Sequence, residues 1–306
     1  MNEPVLPLIR NPAVDLSIII ATWNNARDIQ ACLASLPAGF GNLTGEVIVV
    51  DNASADDTAE RIAANFSAVT LLRNAENEGF ARANNRGMVQ ARGRYILLLN
   101  PDTIVEPGAL QMLSAYLDEQ PHVGAAGPRL ARPDGTIQRS CLRFVSLRAL
   151  VTGYLRGGDY LPAATSRPSR VEGLSGAALL LRRRALDEVG LLDERFFMYG
   201  EDTDICYRLN QAGWAVCYYP SAHIIHLGGQ SAGQIPAETY VRRRMAQLQF
   251  VRKHGATGEA MLMAQLMRWS LRLRAARAQG PQRAYFRSIL HALNTRIAAK
   301  PEARSS

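Results

Sequence analysis

The first half of the chain alternates short apolar segments with segments whose apolar residues recur at helical spacing. The apolar segments lack the polar alternation of a half-exposed strand, so they predict strands buried on both faces. The predicted strands are 16–22, 46–51, 69–74, 94–100 and 122–128, and the predicted helices are 26–36, 56–66, 79–93 and 108–120. This alternation predicts an α/β fold with a mainly parallel, Rossmann-like sheet covered by helices.

The second half is less regular. Residues 129–140 predict a hairpin that turns at Pro133-Asp134-Gly135, and residues 143–170 predict an irregular connection. A strand running into a helix (176–186), a helix with an acidic start after Gly200 and a strand (215–220) follow. From about residue 238 the pattern is helical, amphipathic and basic. We therefore expect one domain over residues 1–237 and a helical tail over 238–306.

The positive charge is concentrated in that tail. The whole chain has a formal net charge of +8, yet residues 239–306 alone carry 14 Lys and Arg against two Asp and Glu, a net +12. Such a tail can pack on the body with its basic face in solvent, form a dimer, or lie on an anionic membrane surface, which we favour. Nucleic acid is not expected as a partner, because the arginines alternate with Met and Leu and no nucleic-acid-binding motif is present.

Cysteine usage and the absence of leader-like segments predict a cytoplasmic protein. Cys32, Cys141, Cys206 and Cys217 are scattered without a CxxC pair, which favours buried thiols over disulfides or a zinc site. The first residues show no charged segment followed by an apolar one, as a signal peptide would. No apolar run approaches the roughly 18 residues that a transmembrane helix needs.

Polar side chains follow four of the predicted strands, at the edge where ligands of open α/β sheets bind. They include Thr22 and Asn24 after the first strand, Asp51, Asn52 and Ser54 after the second, Asn74 and Asn77 after the third, and Asn100 and Asp102 after the fourth. Neither GxGxxG nor GxxxxGK[ST] is present, which argues against a dehydrogenase and a P-loop enzyme. The pattern predicts a nucleotide site of another kind.

Asp51, Asp102 and His226 predict more specific contacts. Asp51 follows buried valines and can accept a hydrogen bond from a nucleobase, although a role as a helix cap is the alternative. Asp102 follows Pro101, which stiffens the turn, and a lone fixed carboxylate suits Mg²⁺ or Mn²⁺ that takes its other ligands from water and phosphates. His226 lies beside a Gly-Gly turn, where a structural role and a ligand role are both open.

The segment FFMYGEDTDICYRL crowds Glu201, Asp202 and Asp204 together. Acidic residues favour a helix start, which is the simple interpretation. However, Asp202 is spaced to share one helix face with the apolar Ile205, Leu209 and Ala212. The spacing therefore predicts an inward-facing carboxylate, which is costly unless it is paired, bound to metal or used in catalysis.

The motifs LSIIIATWNN, VIVVDNAS, NEGFARANNRG, YILLLNPD, LSGAALLLRR, FFMYGEDTDICYRL and HIIHLGGQS together resemble family 2 glycosyltransferases of the GT-A fold. The resemblance covers about residues 15–231 and is strongest to a bacterial rhamnosyltransferase-like branch. It implies nucleoside contacts from Thr22, Asn24 and Asp51 with Asn52 and Ser54 nearby, and a donor pocket lined by Asn77, Gly79 and Asn85.

The resemblance also implies the roles of the remaining candidates. Asn100-Pro101-Asp102 stands where the family has its metal-binding DxD motif, with Asn in place of the first Asp, and His226 matches a histidine that holds metal or pyrophosphate in some relatives. Asp202 matches the catalytic base, beside Glu201. Glu201 and Asp204 are the alternative bases.

The implied activity is inverting transfer of a sugar from a nucleotide-diphosphate donor, with Mg²⁺ or Mn²⁺, in cell-surface polysaccharide synthesis. The donor is expected to be dTDP-rhamnose, with UDP-galactose, UDP-glucose or another nucleotide sugar open. The acceptor is expected to be a glycan or lipid-linked saccharide. We expect a peripheral protein on the inner face of the plasma membrane, and a homodimer is left open.

Two other classes of protein are considered. A sugar-nucleotide nucleotidyltransferase would carry a Gly-rich basic loop where Thr22-Trp23-Asn24-Asn25 stands. A non-catalytic sugar-nucleotide binding module would not need the acidic pair.

Overall fold

The computed structural model describes residues 14–146, 166–228, 236–256 and 258–298. These residues form two compact units. The first contains residues 14–144, 166–197 and 201–228, and the second contains 145, 146, 198–200 and the described part of 236–298. Most of the predicted irregular connection, residues 147–165, and the end of the seventh motif, residues 229–231, lie outside the described residues.

The first unit is built from twelve strands and six helices within the described residues. The strands are β1 Leu16–Thr22, β2 Gly45–Asp51, β3 Thr70–Arg73, β4 Tyr95–Leu99, β5 Thr103–Val105, β6 Val123–Ala131, β7 Ile137–Gln138, β8 Cys141–Leu142, β9 Ser169–Arg170, β10 Gly173–Leu174, β11 Ala178–Arg182 and β12 Ala215–His226. The helices are α1 Asp28–Phe40, α2 Thr58–Asn65, α3 Phe80–Gln90, α4 Ala109–Glu119, α5 Arg183–Val189 and α6 Glu201–Gln211.

The main sheet has the strand order β3-β2-β1-β4-β11-β6-β12-β5. The first four of these strands are parallel, β11 is antiparallel to β4 and β6, and β12 is parallel to β6. Strand β7 pairs antiparallel with β6 across the predicted turn, so the hairpin is confirmed. The α/β class with a mostly parallel sheet flanked by helices is also confirmed.

The core lies on both faces of the sheet, as the continuous apolar runs predict. In β1, Leu16, Ile18 and Ile20 pack with side chains of α1 and α4. Ile19 points to the opposite face and packs with Met88 of α3. Because side chains alternate between the faces of a strand, only a sheet covered on both sides buries such a run completely. The four cysteines are buried free thiols, as expected.

The second half of the sheet differs from the prediction in one feature that matters for the site. The strand expected over 215–220 continues to His226, through an irregularity in its pairing with β6 between Tyr219 and His223. Beyond it, β12 pairs with β5, so that His226 lies opposite Thr103. Strands β5, β8, β9 and β10 were not expected, because segments of two or three residues show no periodicity.

In its described residues, the second unit contains three helices of 19 residues each: α7 Pro236–His254, α8 Glu259–Arg277 and α9 Gly280–Ala298. Each pair of these helices is in contact. The tail pattern predicts the apolar side chains of α8 on one face. That prediction is wrong, because Met263, Met267 and Leu271 are buried whereas Met261, Leu262 and Trp269 are exposed. Across the described segments, no helix has both the length and the apolar character of a membrane span.

Candidate active site

Thr22 and Asp51 end two neighbouring parallel strands and are opposite each other in the sheet register. Both side chains are buried, at 1% and 4% exposure. Among the described residues, neither the Thr22 Oγ1 nor the Asp51 Oδ1 has a hydrogen-bond partner. A buried polar atom without a partner costs about 1–3 kcal/mol. The pair therefore presents an unsatisfied hydroxyl and carboxylate oxygen at the edge where the sequence predicts the nucleoside.

The turns after β1 and β2 are strained and fastened to each other. Asn24 and Ala53 have φ values of 51° and 60°, which side-chain-bearing residues rarely adopt. The Asn24 N–H donates to Ser54 Oγ at 2.9 Å, and the Ala55 N–H donates to Asn24 Oδ1 at 2.7 Å. Asn24 and Ser54 thus join the two strand ends into one rigid rim.

Asn52 organises the loop that follows β3. Its Oδ1 accepts from Asn74 Nδ2 at 2.8 Å and from the Glu78 N–H at 3.0 Å. Its Nδ2 donates to Asn77 Oδ1 at 2.9 Å and to the Gly79 carbonyl at 3.3 Å. Asn52 and Asn77 therefore hold the backbone of this loop beside the nucleoside position.

Gly79 has a φ of 87°, and a Cβ there would lie 2.5 Å from the carbonyl oxygen of Phe197. That carbonyl accepts the Phe80 N–H at 2.7 Å, so the start of α3 is held against the segment that precedes α6. Only glycine fits this close approach.

Asn85, which the resemblance implies as a residue of the donor pocket, is buried on α3. Its Nδ2 donates to the Leu192 carbonyl at 2.8 Å and to Glu194 Oε1 at 3.0 Å, and its Oδ1 accepts the Leu192 N–H at 3.0 Å. The buried amide thus fastens α3 to residues 192–194. Sequence reasoning missed these contacts, which join positions 107 and 109 residues apart.

Asn100, Asp102 and His226, predicted from distant parts of the sequence, come together. His226 Nε2 lies 3.3 Å from Asp102 Oδ1 and 3.3 Å from Asn100 Nδ2. The pairing of β5 with β12 and the hydrogen bond from the Leu227 N–H to the Asp102 carbonyl at 2.9 Å fix this arrangement. Asp102 and His226 are both nearly buried.

Gln138 orients the His226 ring and was not predicted. Its Oε1 lies 3.0 Å from His226 Nδ1. Because an amide oxygen only accepts, Nδ1 donates to Gln138, and Nε2 is the ring nitrogen that faces Asp102. No sequence signal marks Gln138, which lies in a two-residue strand.

The donor set of Asp102 and His226 fits a divalent cation. A carboxylate oxygen and an imidazole nitrogen, here 3.3 Å apart, are both ligand atoms that divalent cations accept in proteins. Within the described part of the chain, no group of three or more His, Cys, Asp or Glu could hold a metal ion. The pair therefore suits Mg²⁺ or Mn²⁺ that takes most of its ligands from water and a diphosphate.

Asp202 lies in the first turn of α6 and contacts the backbone just before β11. Its Oδ2 accepts the Gly176 N–H at 3.1 Å, and its Oδ1 accepts the Thr203 N–H at 2.7 Å. Gly176 is followed by Ala177, whose carbonyl accepts the Asn100 N–H at 2.9 Å. Two consecutive residues thus connect Asp202 to the end of β4, where the Asp102 and His226 pair lies.

The predicted burial of the acidic cluster needs a correction. Asp202 is only half-buried and Ala212 is exposed, whereas Glu201 and Asp204 are buried at 6% and 0% exposure. The reason is that the free N–H groups of the first helical turn draw the Asp202 carboxylate back towards Thr203. The fully inward carboxylates are its two neighbours.

Glu201 and Asp202 form an acidic pair with raised pKa values. Burial, followed by the negative charge of Asp202, raises the pKa of Glu201 well above its usual range. Burial also raises the pKa of Asp202, and the hydrogen bonds from Gly176 and Thr203 limit that rise. Glu201 Oε2 meets no hydrogen-bond donor among the residues that the structure describes.

Asp204, the other alternative base, is held in a structural network. Its Oδ2 accepts from Arg208 Nε at 2.8 Å. The Arg208 guanidinium also donates to the carbonyls of Gly190 at 3.2 Å and Leu191 at 2.6 Å. This ion pair fastens α6 to the segment after α5.

Comparison with known proteins supports the same assignment of fold and family. Residues 12–253 match the family model described as glycosyltransferase like family 2. The N-acetylglucosaminyl-diphospho-decaprenol L-rhamnosyltransferase of Mycobacterium tuberculosis is 30% identical over 286 aligned positions, which cover 84% of this chain and 89% of that protein.

Two solved structures show the fold. One is the mannosyltransferase PcManGT from Pyrobaculum calidifontis in complex with GDP-Man and Mn²⁺, which superposes with a TM-score of 0.56 at 19% identity. The superposition covers 94% of this chain and 83% of PcManGT. The structure of GalNAc-T7 with UDP, GalNAc and Mn²⁺ superposes with a TM-score of 0.57 at 16% identity. The superposition covers 78% of this chain and 48% of GalNAc-T7. The fold is that of GT-A glycosyltransferases, and the chain belongs to glycosyltransferase family 2.

Proposed function

We propose that the protein is an inverting, metal-dependent glycosyltransferase that moves rhamnose from dTDP-rhamnose to a lipid-linked saccharide in cell-surface polysaccharide synthesis. One observation carries the proposal. The parallel strands β1, β2 and β4 bring the unpaired Thr22 and Asp51 atoms and the Asp102 and His226 pair to the same edge of the sheet. That edge is where nucleotides bind in open α/β sheets.

The nucleoside is recognised at the ends of β1 and β2. Asp51 Oδ1 accepts a hydrogen bond from a base N–H, and the Thr22 hydroxyl donates or accepts beside it. Both thymine and uracil carry such an N–H, so these contacts do not separate dTDP from UDP. Asn24, Asn52, Ser54, Asn77 and Gly79 hold the surrounding backbone in place.

The diphosphate lies at Asp102 and His226, and Asn100 orients the imidazole. A divalent cation bound to this pair supplies positive charge next to the departing diphosphate. The hydroxyl of the acceptor attacks the anomeric carbon of the donor sugar. Asp202 takes the proton of that hydroxyl. The glycosidic bond forms as the bond from the anomeric carbon to the diphosphate oxygen breaks. Burial raises the pKa of Asp202, which favours its action as a base.

The choice of rhamnose and of a lipid-linked acceptor is supported by the mycobacterial relative, whose name specifies L-rhamnose transfer to a diphospho-decaprenol-linked sugar. A lipid-linked acceptor requires work at a membrane, and we propose peripheral association with the inner face of the plasma membrane. A UDP-hexose donor is the alternative that the nucleoside contacts leave open.

The first test is a thermal-shift panel with UDP, dTDP, GDP and NADH, each with and without Mn²⁺. Ligand that binds the folded state raises the melting temperature. We expect a Mn²⁺-dependent shift with dTDP, which Asp51→Asn and Asp102→Asn each reduce. A shift with UDP but not dTDP would assign a UDP-sugar donor. No shift with any diphosphate, or a shift with NADH alone, would contradict the nucleotide-sugar site.

The second test addresses the base. Asp202→Asn keeps an oxygen that can accept the Thr203 N–H, so donor binding in the thermal-shift panel should be unchanged. Transfer should fall by about 10²–10⁴-fold, the usual contribution of a general base. Turnover at the wild-type rate would exclude Asp202 as the base.

A further inference from the structure

Helix α8 presents large apolar side chains to solvent. Met261 is 71% exposed, Leu262 is 49% exposed and Trp269 is 63% exposed. Successive outward positions of this helix are Met261, Leu262, Gln265, Trp269, Arg272 and Ala276, which we call the outer face of α8. It contains no acidic residue.

The apolar character of the outer face is not required for packing within the unit. The opposite side of α8 is already buried, with Met263, Met267 and Leu271 almost without exposure. A helix that packs one side on its neighbours and faces water with the other normally carries polar residues there. An apolar face left in solvent costs free energy unless a partner covers it.

The charge of the second unit indicates the chemistry of that partner. The described residues of 236–298 contain twelve Lys and Arg but only two acidic residues, Glu238 and Glu259. Glu238 is already engaged with Arg242 and Arg296. Arg272 on the outer face and Arg277 at the end of α8 are exposed. The partner is therefore anionic as well as apolar.

We propose that the outer face of α8 docks on an anionic lipid bilayer, with Met261, Leu262 and Trp269 entering the boundary between headgroups and acyl chains. Trp side chains favour that depth, and arginines beside them pair with lipid phosphates. A second copy of this chain fits less well, because it would bring a second strongly positive unit against the first. The inference deepens the membrane association proposed above and does not depend on the transferase chemistry.

The test measures vesicle binding by the full-length protein. We compare flotation with phosphatidylcholine vesicles and with vesicles that also contain phosphatidylglycerol. The double variant Leu262→Ser/Trp269→Ser removes two anchors, and Val89→Ser is the matched control, since Val89 is 54% exposed on α3 of the first unit. We expect the double variant to bind anionic vesicles at least about tenfold more weakly than wild type, and the control to bind unchanged.

Fluorescence gives an independent readout. The chain has three Trp residues, and Trp269 is the most exposed of them. Anionic vesicles should shift its emission to the blue, brominated acyl chains should quench it, and both effects should vanish in Trp269→Phe.

Three results would overturn the proposal. They are no flotation of the wild-type protein with anionic vesicles, equal flotation of the double variant, or a lipid-free dimer that the double variant dissociates, which would assign the face to self-association. Because the nucleotide-induced thermal shift is measured on the same samples, an intact shift without flotation separates this failure from failure of the proposed function.

Discussion

Glu201 is a carboxylate whose burial opposes its ionisation. Its Oε2 is buried without a hydrogen-bond partner in the described chain, and its pKa is raised above the ordinary 4.5 by burial and by Asp202. Because the folded-state pKa is the higher one, the protonated group's contribution to stability is fully present below pH 4.5. That contribution is lost as the pH rises through the raised value.

Glu201→Gln should therefore stabilise the protein at alkaline pH. The amide never ionises, so we expect its advantage in the free energy of unfolding to grow as the pH rises above about 4.5. Urea unfolding at several pH values measures the difference, and Glu119→Gln, an exposed position on α4, is the control. A difference that does not change with pH would show that Glu201 ionises in the folded protein as freely as in the unfolded one.

Gln138 is expected to tune metal affinity through His226. Gln138→Leu removes the acceptor on Nδ1, which frees the ring to rotate or to change tautomer. Loss of such a supporting contact commonly weakens metal binding about 10–100-fold. Electron paramagnetic resonance of free Mn²⁺, titrated with protein and dTDP, measures this affinity without relying on turnover. Gln90→Leu, at an exposed position on α3, should bind Mn²⁺ like wild type, and equal affinity of both variants would contradict the role.

The site residues that could be predicted from the sequence are those at the ends of buried parallel strands. Thr22, Asp51, Asn100 and Asp102 follow buried strands, and parallel strands end at one edge, so their proximity follows from periodicity. Gln138 and the partners of Asn85 could not be found in this way. Their contacts join residues 88 to 109 positions apart, and no local pattern encodes them.

At the scale of elements, α6 depends on a buried ion pair. Asp204 is fully buried and pairs with Arg208 at 2.8 Å, whereas Asp57 and Arg61 of the α2 region form an exposed pair of the same spacing at 2.7 Å. Breaking a buried pair leaves a charge without its partner, but an exposed pair contributes little. The buried pair is also joined to the backbone, because Arg208 donates to the carbonyls of Gly190 and Leu191.

Asp204→Asn should cost about 3 kcal/mol of unfolding free energy, and Asp57→Asn less than about 1 kcal/mol. Chemical denaturation of both variants tests this, and their donor-induced thermal shifts show whether the nucleotide site survives. Equal costs would mean that solvent reaches the Asp204 pair as readily as the Asp57 pair.

Elements that consist of a continuous apolar run were predicted most accurately. The long buried strands β1, β2 and β4 agree with prediction to within one residue at each end, because an apolar run bounded by polar residues determines them. Strand β12 continues beyond Pro220 to His226, since pairing with β6 and β5 outweighs the local effect of proline there. Tertiary pairing, which a single segment does not encode, decides such extensions.

At the scale of the whole molecule, charge is divided between the parts of the chain. Residues 239–306 carry a net +12, and the remaining residues, with 21 basic and 25 acidic side chains, carry −4. We expect the basic segment to contribute electrostatically to membrane binding. Nucleotide recognition is expected in the mildly acidic remainder of the chain. The outer face of α8 adds an apolar contribution that salt does not screen.

Salt should resolve the two contributions. Raising the ionic strength from about 0.1 M to 1 M shortens the screening length from roughly 10 Å to 3 Å, so wild-type binding to anionic vesicles should weaken steeply. A residual affinity should persist at high salt in the wild type and disappear in Leu262→Ser/Trp269→Ser, because only the apolar contact remains there. Flotation across this range measures both effects. Binding that does not change with salt would show that the arginines take no part, and a double variant that keeps the residual affinity would place the apolar contact elsewhere on the chain.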